Sequence, residues 1–216
     1  IGYDKIAKVE PTDPNIVDAS KRAPSFTEAL HASHEAIYQM ADGTYRKVKV
    51  KHQNTVGRDI LFIERNLSFL KPGGRMAVVL PQGRFNNASD KDLREYLAAH
   101  CRILAVVGLH GNVFKPHTGT KTSVLFVQKW NDDPKAGPLC PKKDDYPIFF
   151  ATMREPSKGT SGDKIYREAT DGSPLLDDHG HLIVQHDLFN HDGKTEDGIA
   201  EAFIEFAKKE GLSFFP

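Results

Sequence analysis

The sequence has few cysteines and no long apolar run. Cys101 and Cys140 are the only two cysteines in 216 residues, too few for a disulfide framework, so a reducing cytosol is the simplest compartment. No apolar stretch approaches the roughly 20 residues that span a bilayer, and the first residues lack the basic-then-apolar order of a secretory signal. These absences exclude a disulfide-stapled secreted domain and predict a cytoplasmic chain with no membrane partner.

An initiator methionine is also absent, since the chain opens with IGYD. A chain of this length fits one large domain or one domain with extensions. We expect it to be a piece of a longer protein.

Acidic and basic side chains are balanced in number but unevenly placed. The net charge is −3 over residues 1–44, +10 over residues 45–129 and −7 over residues 130–216. One interpretation is a solvated surface with chance segregation, because charge runs often serve only solubility. The other is a basic middle that faces a polyanion.

The clearest secondary-structure pattern lies between Asp59 and Leu109. Helical spacing of apolar residues predicts a helix over Asp59–Leu70, and Pro72 and Gly73 end it. RMAVVL, Arg75–Leu80, and RILAVVGL, Arg102–Leu109, are typical of strands buried on both faces of a parallel sheet. Between them SDKDLREYLAAHC predicts a helix with Ser89 as N-cap and Asp92 three residues on. Helix and strand in this alternation predict an α/β fold with a βαβ unit.

The segments around this region are less regular. TSVLFVQKW, Thr122–Trp130, predicts a strand antiparallel to Arg102–Leu109, because no crossover helix separates them. A further strand is predicted over Tyr146–Met153, after a Pro- and Gly-containing linker. Composition favours a helix at Ser25–Met40, a basic strand after Asp42-Gly43, a mobile loop from Pro156 to Gly180 and an amphipathic helix over Asp197–Gly211.

Three strings in the middle of the chain have a specific pattern: DILFIERNLSFLKPGGRMAVVLPQGRFNN, then ILAVVGLHGNVFKPHTGTKTSVLFVQKWN, then IFFATMRE. Together they closely resemble the modification subunit of type I restriction systems, the N6-adenine DNA methyltransferases. The resemblance covers residues 56–155. F-x-P-x-T-G-x-K-T-S at residues 114–123 is specific, whereas KPGG recurs in many methyltransferases. We therefore expect three regions: residues 1–55 of unclear role, residues 56–155 from the methyltransferase domain, and an acidic extension over residues 156–216.

The resemblance implies a Rossmann-like S-adenosylmethionine-dependent methyltransferase whose parallel strands end in an antiparallel hairpin. Such a family binds S-adenosylmethionine with a glycine-rich turn and holds the target adenine with an Asn-Pro-Pro-aromatic motif. Neither G-x-G nor Asn-Pro-Pro occurs here, and TDPN at residues 12–15 does not replace the second. We expect the C-terminal half of a catalytic domain that, alone, neither binds the methyl donor with micromolar affinity nor methylates DNA. The implied partners are double-stranded DNA, specificity and restriction subunits, and a second modification subunit.

Phe114 is the candidate for stacking on the target base. An adenine inside a duplex must be flipped out to receive a methyl group, and aromatic side chains hold such bases. By resemblance Phe114 stands where this family places an aromatic. The alternative is a loop anchor, because aromatics at loop bases are commonly buried.

The candidates for DNA binding are cationic, hydroxyl-bearing or flexible residues near the predicted strand ends. Cations and hydroxyls suit phosphate oxygens, and ligands of α/β proteins bind at the carboxyl ends of strands. The alternatives are a polar hairpin tip and, after the first strand, a simple strand stop. The candidates are Gln82, Arg84, Lys115, Thr118, Gly119, Thr120, Lys121 and Thr122.

Four histidines lie close together in sequence, but we predict no metal site. His179, His181, His186 and His191 fall within thirteen residues, yet no cysteine or compact carboxylate set accompanies them. Cys101 is interpreted as a core residue at a helix end and Cys140 as a loop thiol, and no catalytic residue is assigned.

The sequence favours part of an adenine-N6 DNA methyltransferase that uses S-adenosylmethionine. A non-enzymatic DNA-binding or assembly module derived from the same fold is the alternative. Methylation of protein or RNA is a third hypothesis.

Overall fold

The computed structural model describes residues 36–39, 45–48 and 58–212 and has a mixed α/β fold. In these ranges no helix has the length and apolarity to cross a membrane. The elements, in chain order, are β1 (Ala36–Gln39), β2 (Tyr45–Val48), α1 (Arg58–Phe69), β3 (Arg75–Pro81), α2 (Gly83–Asn86), a 3₁₀ turn (Ala88–Asp90), α3 (Lys91–His100), β4 (Cys101–Gly108), β5 (Thr122–Lys129), β6 (Phe149–Thr152) and α4 (Ile199–Lys209).

A four-stranded sheet has the order β3-β5-β4-β6. Lys129 N–H donates to Gly74 O and Gln82 N–H to Lys121 O, so β5 is antiparallel to β3. Leu109 N–H donates to Thr122 O and Trp130 N–H to His100 O, so β5 is antiparallel to β4 as well. β6 pairs with β4 in parallel. The α/β class and the antiparallel hairpin are confirmed.

The position of β5 differs from the prediction. β3 and β4 run in the same direction but are not neighbours, because β5 lies between them instead of at the end of a parallel sheet. β3 is also not buried on both faces, since Val79 is 48% exposed. Within the described strands β3 has β5 as its only neighbour, so its other edge carries no partner strand.

Local boundaries differ at two helices. Ser89 lies inside the 3₁₀ turn and Asp90 is the N-cap of α3, without a side-chain capping bond, so the predicted Ser89 cap is wrong. The helix predicted over Ser25–Met40 is wrong at Ala36–Gln39, which forms β1 and pairs antiparallel with β2. The rest of that predicted helix and the Asp42-Gly43 turn lie outside the described residues.

The backbone divides into two compact units. One unit comprises Ile1–Met76, Asn87–Arg102 and Gln128–Lys142, and the other Ala77–Asn86, Ile103–Val127 and Lys143–Pro216. Burial of apolar side chains is the main driving force of each core. The first core includes Ile60, Ile63, Leu67, Leu93, Leu97 and Cys101, and the second Leu80, Leu104, Leu125, Val127, Met153 and Ile183.

Both cysteines are buried and free. Burial raises the pKa of the Cys101 thiol to about 12, so it is a neutral core group at the end of α3, as predicted. Cys140 lies in the linker between β5 and β6, as predicted, and is buried there. Its backbone exchanges two hydrogen bonds with Asn131, and its side chain is 5% exposed.

Tight turns order the segment after β6. In three of them the N–H of the first residue donates to the carbonyl four residues later. A glycine N–H inside each turn also donates to the carbonyl of that first residue: Gly162 to Gly159, Gly172 to Ala169 and Gly180 to Asp177. The three glycines have φ of 100°, 80° and 78°, which other residues adopt only with strain. The region predicted as a mobile loop is therefore irregular but held by backbone hydrogen bonds.

Candidate functional site

An open cleft of about 470 Å³ lies at the carboxyl ends of β3, β4 and β6, all within the second unit. Open α/β sheets bind ligands at this end of their strands. Gln82 lines the cleft directly after β3, the strand end at which it was expected, and its DNA-binding role stays a prediction. The other lining residues are Phe85, Asn86, Val106, Gly108, Ser123, Phe150, Ala151, Thr152 and Arg154.

Three of these side chains come from one face of β6 and its extension. Successive residues of a strand point to opposite faces, so Phe150, Thr152 and Arg154 share one face. The alternate residues Phe149 and Met153 face the other way, where Phe149 contacts Phe203 and Phe206 of α4 with ring centroids 5.3 and 5.5 Å apart. Phe150 is 70% exposed, an unusual state for a strand phenylalanine.

The hairpin loop, residues 109–121, joins β4 to β5 beside this cleft. Residues 108 and 123, just outside its ends, both line the cleft. Successive turns shape the loop: Val113 N–H donates to His110 O, Lys115 N–H to Asn112 O and Thr118 N–H to Phe114 O. The two ends and the turns place a compact, donor-rich loop at the cleft margin.

The predicted loop residues have different roles in this geometry. Thr118 Oγ1 donates to Thr120 Oγ1 at 3.0 Å and accepts from Thr120 N–H, so the Thr118 hydroxyl shapes the loop. A Cβ at Gly119 would lie 3.3 Å from Lys115 Nζ, so the glycine leaves room for that ammonium group. Thr120 and Lys121 are exposed, while Thr122 is half-buried at the start of β5.

Phe114 and Arg84 lie near the cleft in sequence but do not line it. Phe114 is half-buried, and its carbonyl closes the last turn of the loop. Arg84 is half-buried in the short helix α2, next to Gln82. The base-stacking and DNA-binding roles of these residues stay predictions.

A distant turn braces the hairpin loop. The bracing turn, residues 158–164, contacts the loop at three points. Lys158 Nζ donates to Lys115 O, and Lys158 O accepts from Asn112 Nδ2, both at 3.0 Å. Gly162 packs so closely that an added Cβ would lie 2.6 Å from Pro116 Cδ. These contacts fix the side of the loop that carries Lys115.

Cationic groups on the loop and cleft have no carboxylate partner among residues 58–212. The ion pairs in that range involve other residues, such as Lys91 with Glu95 and Lys194 with Asp178. Asp187 Oδ2 accepts a hydrogen bond from the Arg154 backbone N–H at 2.9 Å. This bond does not involve the guanidinium group of Arg154. Lys115, Lys121 and Arg154 are therefore available to an anionic ligand.

The histidines separate into two pairs. His179 and His181 lie at an exposed turn with ring centroids 6.2 Å apart, whereas His186 and His191 stack at 4.6 Å beside Phe189. Burial, His191 and Arg167 lower the pKa of His186. Within the described ranges no three His, Cys, Asp or Glu side chains converge on a possible metal position.

The methyl-donor turn implied by the resemblance is not formed by the described residues. Gly73 and Gly74, the one adjacent pair of glycines in the sequence, lie between α1 and β3. A Cβ on Gly73 would fall 1.7 Å from Pro138 O, so protein backbone already fills the space beside it. Those glycines therefore serve packing within the first unit and do not fit a bound cofactor.

Comparison with known proteins identifies the family. Residues 11–169 match the family model described as N-6 DNA Methylase. The chain belongs to the N-6 DNA methylase family. The resemblance inferred from the three sequence strings is thus confirmed.

The matched relatives of this N-6 DNA methylase chain are type I restriction enzyme subunits. The EcoEI methylase subunit of Escherichia coli is 34% identical over 89 residues, which are 41% of this chain and 18% of the relative. The EcoKI methylase subunit of Escherichia coli K12 is 30% identical over 107 residues, 49% and 20% of the two chains. The solved EcoKI M protein overlaps 42% of this chain and 19% of its own, with 24% identity and a TM-score of 0.32. The matches thus span about a fifth of each relative's length.

The bracing turn generates a prediction with a matched control. Gly162→Ala and Gly172→Ala both place a side chain at positive φ, which costs about 1–2 kcal/mol. Only Gly162→Ala also pushes against Pro116, because no atom lies within 4 Å of a Cβ at Gly172. We expect faster amide hydrogen exchange at Thr118 and Thr120 in Gly162→Ala alone. Equal exchange in the two variants would show that the turn does not hold the loop.

Proposed function

We propose that this chain forms the DNA-handling part of an adenine-N6 DNA methyltransferase in a type I restriction-modification system. Its substrate is double-stranded DNA, and the methyl donor is S-adenosylmethionine. The observation that carries the proposal is the braced hairpin loop at the margin of a cleft in a chain of the N-6 DNA methylase family; the lysines of this loop have no carboxylate partner among residues 58–212.

The loop suits a phosphate backbone. Lys115 and Lys121 supply positive charge, and the exposed Thr120 hydroxyl adds a hydrogen-bonding group. Contacts of this kind position a protein on a duplex without reading its sequence. The basic region from residue 45 to residue 129 extends the same electrostatic attraction beyond the loop.

The cleft suits a flipped adenine. Amide side chains can bond both the N6 amino group and N7 of adenine, and Gln82 and Asn86 bring two such groups to the cleft. Aromatic faces hold unstacked bases, and Phe85 and Phe150 line the same cleft. Phe114, on the adjoining loop, remains the stacking candidate inferred from the family resemblance.

This chain contributes positioning and electrostatics to the reaction. S-adenosylmethionine supplies the methyl group when it is bound by the complete protein. The cleft would orient the adenine amino group and limit its contact with water, while the loop cations hold the neighbouring phosphates. Donor binding and catalytic side chains are assigned to parts of the protein that carry the glycine-rich turn and the Asn-Pro-Pro-aromatic motif.

The proposed partners follow the relatives. Methylase subunits of type I restriction enzymes imply specificity and restriction subunits, and we include a second modification subunit and a cytoplasmic location in the proposal. The net charge of −7 over residues 130–216 and helix α4 mark the region where we place protein contacts.

A non-enzymatic DNA-binding or assembly module is the second candidate. The absence of G-x-G and Asn-Pro-Pro from the sequence favours it. Transfer of labelled methyl groups from S-adenosylmethionine into DNA by the complete protein separates the candidates, since the module would bind DNA without methylating it. Labelled RNA or protein in the same assay would instead support the third hypothesis.

The loop lysines generate a prediction about salt. Lys121→Ala should weaken binding to all duplex sequences alike and reduce the slope of log K against log salt by about one unit, because one phosphate contact is lost. Lys142→Ala is the control, since it removes the same charge from an exposed position outside the loop. Kd is measured across a series of salt concentrations. A wild-type plot without slope would contradict the proposed DNA contact.

Phe114 generates a prediction that separates stacking from anchoring. If it stacks on the target base, Phe114→Ala in the intact enzyme loses about 1–3 kcal/mol of base binding while the Tm stays nearly unchanged. Phe150→Ala is the companion variant, because Phe150 already lines the cleft. Binding is measured on duplexes with a mismatched, easily flipped target. A drop in stability of about 3–5 kcal/mol in Phe114→Ala, with base binding intact, would show that Phe114 is a core anchor.

A further inference from the structure

Arg154 carries the one charged side chain among the described residues that line the cleft. Its guanidinium group has no hydrogen-bond or ion-pair partner within residues 58–212. The guanidinium group of Arg167 is, by contrast, engaged, because it donates to Glu155 and to His186 O. Arginine presents its N–H donors in a planar fork that fits the oxygens of a phosphate. An arginine without a protein partner, in a cleft with no other charge, indicates that the ligand brings an anionic group.

The cleft face of β6 and its extension carries three different kinds of side chain in order. Phe150, Thr152 and Arg154 occupy alternate positions and all line the cleft, so they supply an aromatic ring, a hydroxyl group and a cation. At the usual rise of a strand, the Cα atoms of Phe150 and Arg154 are about 13 Å apart. A base stacked on Phe150, its sugar and the long arginine side chain can together span this distance. The three side chains therefore match the base, sugar and phosphate of one nucleotide.

The backbone of Arg154 is held from two sides. Met153 N–H donates to Gly108 O at 2.8 Å, which continues the pairing of β6 with β4. Arg154 N–H donates to Asp187 Oδ2 at 2.9 Å. The side chain of Met153 is 2% exposed and anchors the same segment on the other face of the sheet. Because the backbone of Arg154 is already fixed, less conformational entropy is lost when its side chain binds a ligand.

Asp187 is itself fixed at the start of α4. Its carbonyl accepts from Ile199 N–H at 3.0 Å, and Leu188 O accepts from Ala200 N–H at 2.8 Å. Within the described ranges its carboxylate accepts a hydrogen bond only from Arg154 N–H, since Oδ1 is buried without a hydrogen-bond partner. The side chain of Asp187 is therefore directed at the backbone of Arg154.

We propose that Arg154 binds the phosphate next to a flipped adenine, and that Asp187 is the positioning residue of Arg154. The inference rests on the proposed function, because it takes DNA as the ligand of the cleft. The adenine enters the cleft with its own phosphate, which the guanidinium fork of Arg154 holds. Lys115 and Lys121 of the hairpin loop contact other phosphates of the duplex. Asp187 acts only through Arg154, by fixing the backbone from which the guanidinium group reaches the phosphate.

Neutral backbone linkages test the phosphate contact. The complete protein is titrated with duplexes that carry one mismatched adenine, and a methylphosphonate replaces the phosphate on either side of it. The wild type should lose roughly tenfold in affinity at one of the two positions, because a charge-assisted hydrogen bond is lost. Arg154→Ala should bind the unmodified duplex roughly tenfold more weakly and be insensitive to that linkage. Arg154→Lys should lie between the two, since it keeps the charge but loses the fork.

Lys209→Ala is the control, because it removes a positive charge from an exposed position of α4 outside the cleft. It should match the wild type on every duplex. The proposal would be overturned if Arg154→Ala bound the unmodified duplex as tightly as Lys209→Ala, or if the neutral linkage weakened Arg154→Ala and the wild type equally. With the wild-type salt slope present and reduced in Lys121→Ala, either result would leave the proposed function standing. A wild type without a salt slope would overturn both.

A double-mutant cycle tests the role of Asp187. Asp187→Ala removes the acceptor for Arg154 N–H and should weaken binding toward the level of Arg154→Ala, whereas Asp187→Asn keeps an acceptor oxygen and should retain wild-type affinity. In the Arg154→Ala background, Asp187→Ala should add no further loss. An equal fold-loss in both backgrounds, without rescue by Asp187→Asn, would show a purely structural role and overturn the assignment. Asp187→Glu, which moves the carboxylate but keeps its charge, takes the place of Asp187→Ala if that variant does not fold.

Discussion

The arrangement of the site depends on the insertion of β5 between β3 and β4. Backbone hydrogen bonds fix both ends of β5, to Gly74 and His100 at one end and to Gln82 and Leu109 at the other. Because β5 is antiparallel to both neighbours, its first residues lie beside the last residues of β3 and β4. This antiparallel insertion brings Gln82, the hairpin loop and Ser123 to one end of the sheet.

The loop and the cleft also depend on chain segments that are far away in sequence. Lys158 and Gly162 reach the loop from more than forty residues further along the chain. Asp187 fixes the backbone of Arg154, and its carbonyl accepts from Ile199 N–H at the start of α4. The acidic, irregular segment after β6 thus has a structural role: its glycine turns and side-chain contacts hold in place the end of the sheet that carries the cleft.

The spacing of apolar residues along the sequence predicted most helices and strands of residues 58–212. Helix α1, strands β3 to β6 and α4 begin and end within three residues of the predicted positions. The position of β5 could not be predicted, because a hairpin strand can pair on either edge of the strand before it. The sequence of Arg102–Leu109 is compatible with β5 on either of its edges. The 36–39 strand was missed because its pairing with 45–48 overrides local helix propensity.

The candidate site was predicted in part. Gln82 was selected because it follows a strand that was predicted to be buried, and the loop cations because they lie within a specific string of residues. Phe150, Thr152 and Arg154 were missed, although the alternation in FFATMR places them on one face. Periodicity shows that such residues share a face, but only the sheet order shows that this face opens into a cleft.

We propose that the hairpin loop and the cleft form the surface that contacts DNA. Photocrosslinking tests it most directly, with duplexes that carry photoreactive groups on their phosphates and with mass spectrometry to locate the modified peptides in the complete protein. If this surface contacts DNA, the crosslinks lie within residues 82–86, 110–121 and 150–154. Crosslinks confined to α4 or to residues 165–195, with none in those three segments, would contradict it.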